Sequence, residues 1–253
     1  MSKKRVKLQQ YKLSEWSVFV LNTFEDIVKV VKTQVPEIPI IDDSTNFWMI
    51  RSKKGVFYSE FIDNCFIAIG WNALTSSNLS SNDDDNLKSH LSSSGYTDKM
   101  MGTAVNKCHR FVDEVKEGDI AMVVGKNEIA FACIGSYYEF DDESTTVENE
   151  LEVIAQIDNR SYKGGRCPYK KRRHITIINK INIDVVSPTI YKCLVANRHS
   201  LSNLCDYADA IISASYDVAY YKNRLIVKYH ITQPRDINPF DFSLFTLDRK
   251  SVV

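Results

Sequence analysis

The sequence predicts an α+β fold built on a small twisted mixed β-barrel, with flanking helices and a C-terminal α/β extension. Two observations lead to this prediction. Short runs of β-branched and aromatic residues bounded by glycine are typical of buried strands, and they alternate with segments of helical spacing. The central stretch, from Phe47 to Trp71, begins with one such strand and ends with another, Phe66 to Ile69, which leads directly to Gly70 and Trp71.

Changes of composition divide the chain into three segments. Residues 1–43 form a basic N-terminal segment and a helix, whose apolar positions recur at helical spacing from Ser14 to Val35. Residues 44–186 contain most of the predicted strands and form the main domain. Residues 187–253 form a helical and extended C-terminal extension, which includes an extended run from Val218 to Thr232.

The composition is that of an ordinary globular protein. Of the 253 residues, 44% are hydrophobic and 25% are charged, and the formal net charge is zero. Any affinity for nucleic acid must therefore come from a local patch. The six cysteines include no CxxC pair, so we expect reduced thiols, no metal and no cofactor. We find no signal peptide and no apolar run long enough to span a membrane, so we expect a cytoplasmic protein without a membrane partner.

The elements after the central stretch are predicted from spacing and turn residues. A serine-rich polar segment predicts a loop with a short helix around Asn86 to Leu91, and the carboxylates of residues 83–85 lie in its first turn. Apolar residues at helical spacing predict a second helix from Gly102 to Val115. Two strands then form a hairpin through Gly125-Lys126-Asn127, and Gly135 indicates a bulge in the second of them.

Two segments of opposite charge follow the hairpin. The acidic stretch from Glu139 to Glu152 is predicted to be a solvated loop. The basic cluster after it contains the interleaved Tyr162 and Tyr169, and it leads into a strand, HITIINKINI. We expect the cluster to contact the phosphate backbone of a nucleic acid, and the alternative is a loop that neutralises the acidic stretch. The predicted phosphate-binding residues are Lys163, Arg166, Lys170, Lys171, Arg172 and Arg173.

The two tryptophans of the central stretch are predicted to differ. Trp48 lies inside an apolar strand and is predicted to belong to the core, whereas Trp71 lies just past a strand end, where a planar ligand can stack on it. Glu114-Val115-Lys116 has the E-x-K pattern of some nucleases, but this tripeptide is common by chance. The sequence has no GxSxG, P-loop, HExxH or GxGxxG motif, so we predict that the protein is not an enzyme.

Several short motifs occur in an order that resembles a known family. FWMIRS, GVFYSEF and FIAIGW are followed by a helix ending in RF, and then by EGDIAMVV, ACIGSYYEF and RRHITIINKINI. This order resembles the EVE-like branch of the PUA-like superfamily, and it looks most like the modules at the N-termini of Mrr-type and related modification-dependent restriction proteins. The NLCDYADAI segment also resembles the helix that follows the module there. The resemblance covers roughly residues 44 to 212.

The resemblance implies a small barrel with a pocket for one flipped base. Relatives in this superfamily include readers of methylated adenine in RNA and of modified cytosine in DNA. In the methyladenine readers, a Lys-Ser pair at the end of the first strand and a tryptophan after the next run help to form the site. Arg51-Ser52 and Trp71 stand at matching positions, with arginine in place of the lysine. The predicted base-binding pocket comprises Arg51, Ser52, Tyr58, Trp71, Asn72 and Tyr137.

The sequence therefore favours a non-catalytic reader that flips a modified nucleobase into an aromatic pocket and serves a restriction or anti-phage defence system. The expected ligand is nucleic acid with a modified base, DNA in preference to RNA, and the expected partner is a nuclease or another effector. Two alternatives stay open. One is a sensor of a free nucleotide or nucleotide-derived signal in the same pocket, which needs no basic face beside the pocket. The other is an interaction subunit of a defence complex that uses Val218 to Leu247 as its surface.

Overall fold

A computed structural model describes residues 38–80 and 83–228. The predicted helix from Ser14 to Val35 lies outside these residues, as does most of the surface predicted from Val218 to Leu247. The described strands are β1 (Ile40–Ile41), β2 (Phe47–Arg51), β3 (Phe66–Ile69), β4 (Ile120–Val124), β5 (Glu128–Glu139), β6 (Lys171–Asn182), β7 (Leu201–Asn203), β8 (Val218–Tyr221) and β9 (Arg224–Val227).

The helices of the described residues lie between the strands and differ widely in length. They are α1 (Tyr58–Asp63), α2 (Ser76–Leu79), α3 (Asp84–Ser93), α4 (Asp98–Met101), α5 (Ala104–His109), α6 (Val147–Asp158), α7 (Pro188–Ala196) and α8 (Ala208–Ser215). A π-helical turn, Arg110–Glu114, continues α5. In the described part of the chain, no helix has the length and hydrophobicity that a bilayer span requires.

One mixed sheet of six strands organises the described residues. Its order is β3-β6-β5-β4-β2-β7, in which β2 and β4 are parallel and the other neighbours are antiparallel. The sheet curls into a half-barrel with β3 and β7 at its edges. A smaller sheet has the order β1-β8-β9. The α+β class with a mixed curled sheet is thus confirmed, and the described strands form half of a barrel instead of a closed one.

The six-stranded sheet separates two apolar clusters, because side chains alternate between its faces along each strand. On one face, which we call the α5 face, Trp48 and Ile50 of β2 join residues from α1, α3, α5 and α6. On the other face, which we call the α8 face, Phe47 and Met49 join residues from α7, α8 and β8. Residues from 187 onward therefore cover one face of the sheet, and β7 also pairs with β2.

Trp48 belongs to the core, as the sequence predicts. It is 2% exposed, and its indole N–H donates to Oδ2 of Asp119 over 2.8 Å. The same buried carboxylate accepts from the backbone N–H groups of Asn46 and Lys116, each over 2.9 Å. Asp119 therefore links the residue before β2 to the turn before β4.

The predicted helices around the central stretch are confirmed, with changed ends. The short helix predicted around Asn86 to Leu91 is part of α3, and the Asp83 carboxylate caps α3 by accepting from the backbone N–H of Asn86. The helix predicted from Gly102 to Val115 is α5 together with its π-helical continuation.

The predicted hairpin and bulge are confirmed as well. β4 and β5 pair as antiparallel neighbours on either side of residues 125–127. The register of β5 against β6 shifts between Ile134 and Tyr137, which is where Gly135 lies. A side chain at Gly135 would approach Cβ of His174 to 3.2 Å, so the bulge brings the two strands close together.

The acidic stretch from Glu139 to Glu152 is only in part a loop, which corrects the prediction. α6 begins at Val147, and the side chain of Thr146 caps it by accepting from a backbone N–H of the first turn. Val153 and Ile157 lie four residues apart on the same side of α6, and both are buried. This apolar stripe packs α6 against the α5 face, so part of the acidic stretch becomes a helix of the core.

Candidate functional site

Trp71 lies in the turn that follows β3, and its backbone adopts the left-handed conformation. Its φ angle is 63°. This conformation is unusual for a bulky residue and costs roughly 1–3 kcal/mol, so it persists only where the surroundings hold it in place. We call residues 70–74 the Trp71 turn, and its contacts explain how the conformation is held.

Glu150 of α6 accepts hydrogen bonds from two successive backbone N–H groups of the Trp71 turn. The N–H of Trp71 donates to Oε1, and the N–H of Asn72 donates to Oε2, each over 2.7 Å. The hydroxyl of Tyr96 also donates to Oε2, over 2.6 Å. Glu150 is 1% exposed, and burial raises its pKa, while these donors and the ammonium of Lys171 oppose the rise. The carboxylate thus fixes the orientation of two peptide groups.

Lys171, the first residue of β6, binds carbonyl groups of the same turn. Its Nζ donates to the carbonyl oxygens of Trp71 and Leu74, each over 2.7 Å. Lys171 is fully buried, and a buried ammonium is tolerated only when it is hydrogen-bonded. Glu150 and Lys171 therefore hold the N–H and the C=O of Trp71 from two sides.

Gly70 allows α6 to approach this turn. A Cβ atom at Gly70 would overlap Oε1 of Glu150 and would lie 3.1 Å from Cε1 of Tyr169. The absence of a side chain at this position is therefore required for the hydrogen bonds that Glu150 makes.

Asn72 connects the Trp71 turn to the chain before β6. Its amide nitrogen donates to the carbonyl oxygens of Thr145 and Pro168, over 3.0 and 2.6 Å, and its Oδ1 accepts from the N–H of Lys170 over 2.9 Å. Asn72 is 4% exposed. Because these partners use its amide inside the protein, the prediction that Asn72 reads a base is corrected.

The indole ring of Trp71 is half-buried and is held at its edge. It packs on the apolar cluster of the α5 face, and its Nε1–H donates to the carbonyl oxygen of Met100 over 2.9 Å. Nζ of Lys107, on α5, lies 5.6 Å from the ring centroid. The backbone and the ring edge are thus both fixed, and part of the ring remains exposed at the surface.

Tyr137 lies on the same face of the sheet and near the same end. Its hydroxyl donates to Oε1 of Glu139 over 3.0 Å, and the guanidinium of Arg173 lies 5.5 Å from its ring centroid. Burial opposes ionisation of Glu139, but its hydrogen bonds outweigh that effect and its pKa lies below the ordinary value. Glu139 pairs across the strands with Lys171, which holds the Trp71 turn. The structure therefore brings Trp71 and Tyr137 to one region.

Arg51 and Ser52 do not join that region, which corrects the prediction that they line a pocket with Trp71. Side chains alternate along β2, so Arg51 points to the α8 face, where it donates to the carbonyl oxygen of Leu194 over 2.6 Å. Ser52 is 3% exposed, and its Oγ accepts from the N–H of Phe57 over 3.2 Å. Both side chains therefore stabilise local structure.

Tyr58 packs on the α5 face but lies far from Tyr137. Its hydroxyl donates over 2.8 Å to Oε2 of Glu128, the first residue of β5, whereas Tyr137 bonds to Glu139, the last residue of β5. At about 3.3 Å per residue, the two ends of this strand are separated by roughly 36 Å of extended chain. A single aromatic cage that includes both tyrosines is therefore not formed.

The basic cluster predicted to bind phosphate is divided between the interior and the surface. Lys171, Arg172 and Arg173 are 0%, 6% and 4% exposed, because they belong to β6. The guanidinium of Arg172 lies 4.3 and 4.0 Å from the ring centroids of Phe66 and Phe140. For these three residues the predicted phosphate contact is corrected, since their cationic groups are bound inside the protein.

The hydrogen bonds of the two buried arginines show how their charges are accommodated. Arg172 donates to the carbonyl oxygens of Tyr169 and Cys167, over 2.9 and 3.0 Å. Arg173 donates to the carbonyl oxygens of Phe111 and Val112, each over 3.0 Å. Each guanidinium therefore joins neighbouring segments of the chain through their carbonyl groups, and neither guanidinium is available to a ligand.

The remaining cations of the cluster lie nearer the surface. Lys170 is 3.0 Å from the carboxylate of Asp141, and Arg166 is 3.6 Å from that of Asp142. Lys163 is exposed. The ion pairs of Lys170 and Arg166 agree with the alternative that the cluster neutralises the acidic stretch. Phosphate contact by Lys163, Arg166 and Lys170 stays a prediction.

The E-x-K tripeptide does not bring its two charged groups to one site. The carboxylate of Glu114 is 3.7 Å from Nε of Arg110, and Nζ of Lys116 donates to the carbonyl oxygen of Asp113. Within residues 38–80 and 83–228, no group of three or more His, Cys, Asp and Glu side chains is placed to hold a metal ion. All six cysteines are free, and Cys108, Cys167 and Cys193 are buried.

A shallow depression of about 280 Å³ lies away from Trp71, between the start of α8 and the turn that joins β8 to β9. Its charged lining residues are Asp206, Asp209, Lys222 and Arg224. Arg224 donates to the carboxylate of Asp209 over 3.0 Å, so part of this charge is paired within the depression.

These features define an α+β protein with a curled half-barrel and a tryptophan fixed at the protein surface. The chain belongs to the family described as Domain of unknown function (DUF8426), whose model matches residues 48–185, more than half of the chain. The matched range contains the Trp71 turn, α5, α6 and the start of β6. No curated protein and no solved structure matches the chain.

Trp71 and Tyr137 are predicted from the sequence, but the groups that surround them are not. Glu150 falls within the stretch that is predicted to be a solvated loop, because an acidic run does not indicate which carboxylate is buried. A signal was present, since Glu150 precedes Val153 by three residues and therefore shares the apolar side of α6. Lys107 lies within the helix predicted from Gly102 to Val115, but nothing in the sequence relates it to Trp71, because their contact depends on how that helix packs.

Proposed function

We propose that this protein is a non-catalytic reader of a modified nucleobase, and that one flipped base stacks on Trp71. The observation that carries the proposal is the way in which Trp71 is held. Its left-handed backbone is fixed by Glu150 and Lys171, and its ring edge is fixed by Met100. Unfavourable backbone conformations concentrate at functional sites, and a rigid aromatic ring binds a planar ligand with little loss of conformational freedom.

The energies involved are compatible with base flipping. Taking a base out of a nucleic-acid duplex costs a few kcal/mol, and the cost is least for a base that is already single-stranded. Stacking on an aromatic side chain returns about 1–3 kcal/mol per base. The two terms are similar in size, so further contacts to the base edge or to phosphate must decide whether binding occurs. Single strands are therefore the ligands to test first.

The sequence resemblance supports the same proposal. A curled half-barrel and a tryptophan just after β3 agree with what the resemblance to the EVE-like branch of the PUA-like superfamily implies. On this proposal, the region matched by the DUF8426 model binds the modified base, with DNA preferred to RNA. The protein then acts in the cytoplasm within a restriction or anti-phage system, and a nuclease or another effector supplies the response.

Binding to matched short oligonucleotides tests the proposal. Single strands of DNA and of RNA would carry one central adenine or cytosine, either unmodified, methylated or, for cytosine, hydroxymethylated. We expect the wild-type protein to prefer one modified strand over its unmodified match. We expect Trp71→Gly to weaken binding of that strand by about 1–3 kcal/mol. The protein should remain folded, because glycine adopts a φ of 63° without strain, and this gain offsets part of the packing that is lost with the indole ring.

Two further variants complete this experiment. Trp71→Phe keeps an aromatic face and loses the bond to Met100, so we expect it to retain part of the affinity. Trp48→Phe is the matched control, because it alters a buried tryptophan that lies inside the sheet. It should lower stability and leave the preference for the modified strand unchanged. Equal binding of all strands by the wild-type protein, or an undiminished preference in Trp71→Gly, would contradict the proposal.

A free nucleotide is the second candidate ligand, and one observation favours it. The cationic groups of Lys171, Arg172 and Arg173 are buried, so the basic face that a reader needs is smaller than the sequence predicts. A sensor of a free nucleotide needs only the aromatic site. Titration with nucleoside monophosphates and with the matched oligonucleotides separates the two functions, because a sensor binds the monophosphate at least as tightly as the strand.

A further inference from the structure

Lys107 is a cation that lies over the ring of Trp71 without an acidic partner. Its Nζ is 5.6 Å from the centroid of the Trp71 ring, and its side chain is half-buried. Among the described residues, no Asp or Glu carboxylate lies within 4.0 Å of this ammonium group. Burial lowers the pKa of Lys107, because water is partly removed from the charge and no carboxylate replaces it.

Two other half-buried lysines of the described chain, Lys53 and Lys170, each lie beside a carboxylate, whereas Lys107 does not. Nζ of Lys53 lies 2.9 Å from the carboxylate of Asp158, and Nζ of Lys170 lies 3.0 Å from that of Asp141. The ring of Trp71 offers Lys107 only the weak attraction of a cation–π contact. The ammonium group of Lys107 therefore has no anionic hydrogen-bond acceptor of its own, and an anion that enters the site can take that place.

Arg110 is a second cation on the same part of the helix. Its Nε is buried and has no hydrogen-bond partner. The nearest carboxylate, that of Glu114, lies 3.7 Å away, which is too long for a hydrogen bond. Residues three positions apart on a helix are neighbours, so Arg110 lies next to Lys107. The helix that borders Trp71 thus carries two neighbouring cations: Lys107 has no carboxylate within 4.0 Å, and Arg110 has a buried Nε without a hydrogen-bond partner.

We propose that Lys107, with Arg110 beside it, binds a phosphate group of the ligand whose base stacks on Trp71. This inference rests on the proposed function, and it moves the main phosphate contact from the basic cluster at residues 163–173 to α5. A phosphate supplies the negative charge that the ammonium of Lys107 lacks, together with acceptor oxygens for its N–H groups, and the neighbouring charge of Arg110 favours an anion at the same place. A free nucleotide and a strand both carry this group, so the experiment must separate them.

The experiment compares three probes that share one base: a nucleoside, its monophosphate and a single-stranded oligonucleotide. The base is the one that the wild-type protein prefers among the matched strands, or adenine if it prefers none. Lys107→Gln and Arg110→Gln remove each charge and keep a polar side chain, while Lys107→Arg keeps the charge. Lys180→Gln is the matched control, because it removes an exposed charge near the far end of β6.

We expect Lys107→Gln to weaken binding of the monophosphate and the oligonucleotide about tenfold, which is typical for the loss of one charged hydrogen bond. Nucleoside binding should be unchanged, and Lys107→Arg should restore most of the affinity. For the oligonucleotide, the slope of log affinity against log salt should fall by about 0.7. A tenfold loss for the oligonucleotide alone would assign Lys107 to a neighbouring backbone phosphate, and a loss for both would assign it to the phosphate of the stacked nucleotide.

The outcomes keep this inference separate from the proposed function. If Lys107→Gln and Arg110→Gln bind all three probes as the wild-type protein does, the phosphate contact is overturned and Lys107 only covers the ring. The role of Trp71 would still stand on the modified and unmodified strands. Equal losses for the nucleoside would also overturn the inference, because a nucleoside has no phosphate to lose. If the wild-type protein binds none of the probes, both proposals fail together.

Discussion

Glu150 is a buried carboxylate whose three donors come from distant parts of the sequence. The N–H groups of Trp71 and Asn72 lie 79 and 78 positions before it, and the hydroxyl of Tyr96 lies 54 positions before it. A buried carboxylate without donors is strongly destabilising, and buried N–H groups without an acceptor are destabilising too. The carboxylate and the turn therefore depend on each other.

We expect Glu150→Gln to lower the free energy of unfolding by about 2–3 kcal/mol. The amide NH₂ would replace an oxygen that now accepts hydrogen bonds, and at least one buried donor would lose its partner. Urea denaturation followed by circular dichroism measures the change. Glu148→Gln, at an exposed position of α6, is the matched control and should change stability by less than about 0.5 kcal/mol. Equal denaturation midpoints for the two variants would contradict the role given to Glu150.

The same residues show what the sequence could predict about the site. Trp71 is predicted because a strand pattern ends just before it and because the family resemblance has a tryptophan at that place, and Tyr137 is predicted as a cage aromatic that the resemblance implies. The prediction places Arg51 on the same face as Trp71, which is wrong. Because side chains alternate along β2, Arg51 lies on the face opposite to that of the buried Trp48. Glu150 could not be paired with its donors by spacing alone, since no local pattern relates residues so far apart.

At the scale of secondary structure, the site depends on the close approach of α6 to the end of β3. The contact is possible because Gly70 has no side chain where the Glu150 carboxylate and the ring of Tyr169 meet the backbone. β6 then adds Lys171 from the neighbouring strand, since β3 and β6 pair directly and Ile69 lies opposite Lys171. A helix and two strands thus converge on one turn.

We expect Gly70→Ala to lower the free energy of unfolding by about 1–3 kcal/mol, because the added methyl group would force α6 or Tyr169 to move. It should also weaken binding at Trp71, since Glu150 would no longer hold the turn. Thermal unfolding and oligonucleotide binding measure the two effects. Gly102→Ala is the control, because its nearest neighbour would be the carbonyl oxygen of Asp98 at 3.9 Å. A Gly70→Ala protein as stable as the control would show that the turn tolerates a side chain.

Strands and turns with ordinary composition were predicted well, and elements with unusual composition were not. The hairpin of β4 and β5 follows from apolar runs on either side of a glycine turn. The start of β6 was missed because three consecutive cations suggest solvent, whereas carbonyl groups and aromatic rings accommodate them inside the protein. α6 is not predicted because its many acidic residues indicate a solvated loop, and its apolar stripe is too short to indicate a helix.

At the scale of the whole molecule, other elements pack on both faces of the six-stranded sheet. The two layers that they form come from different parts of the chain. Residues before 186 supply the helices of the α5 face, and residues after 186 supply α7, α8 and β8 of the α8 face. The range matched by the family model ends at residue 185, before this second covering begins. The matched region therefore contributes only one of the two layers that enclose the sheet.

We expect a truncated chain that ends at Val186 to aggregate. It would expose Phe47, Met49 and their buried neighbours on the α8 face, and it would leave one edge of β2 unpaired because β7 is lost. Size-exclusion chromatography and thermal unfolding, each compared with the full chain, measure the effect. A monomeric truncated protein that unfolds cooperatively would show that the C-terminal segment is not needed to complete the core.

The fixed position of Trp71 also gives the protein an internal optical probe. A nucleobase stacked on an indole quenches its fluorescence, so occupancy of the site would lower the emission of Trp71 without any added dye. Trp48 is sealed inside the sheet against Asp119, so its emission should not respond to a ligand at the surface. The signal that is lost in Trp71→Phe belongs to Trp71, whatever the contribution of the third tryptophan, Trp16. Rapid-mixing traces would then show one quenching phase for a free nucleotide, and a second, slower phase for a base that must first leave its strand.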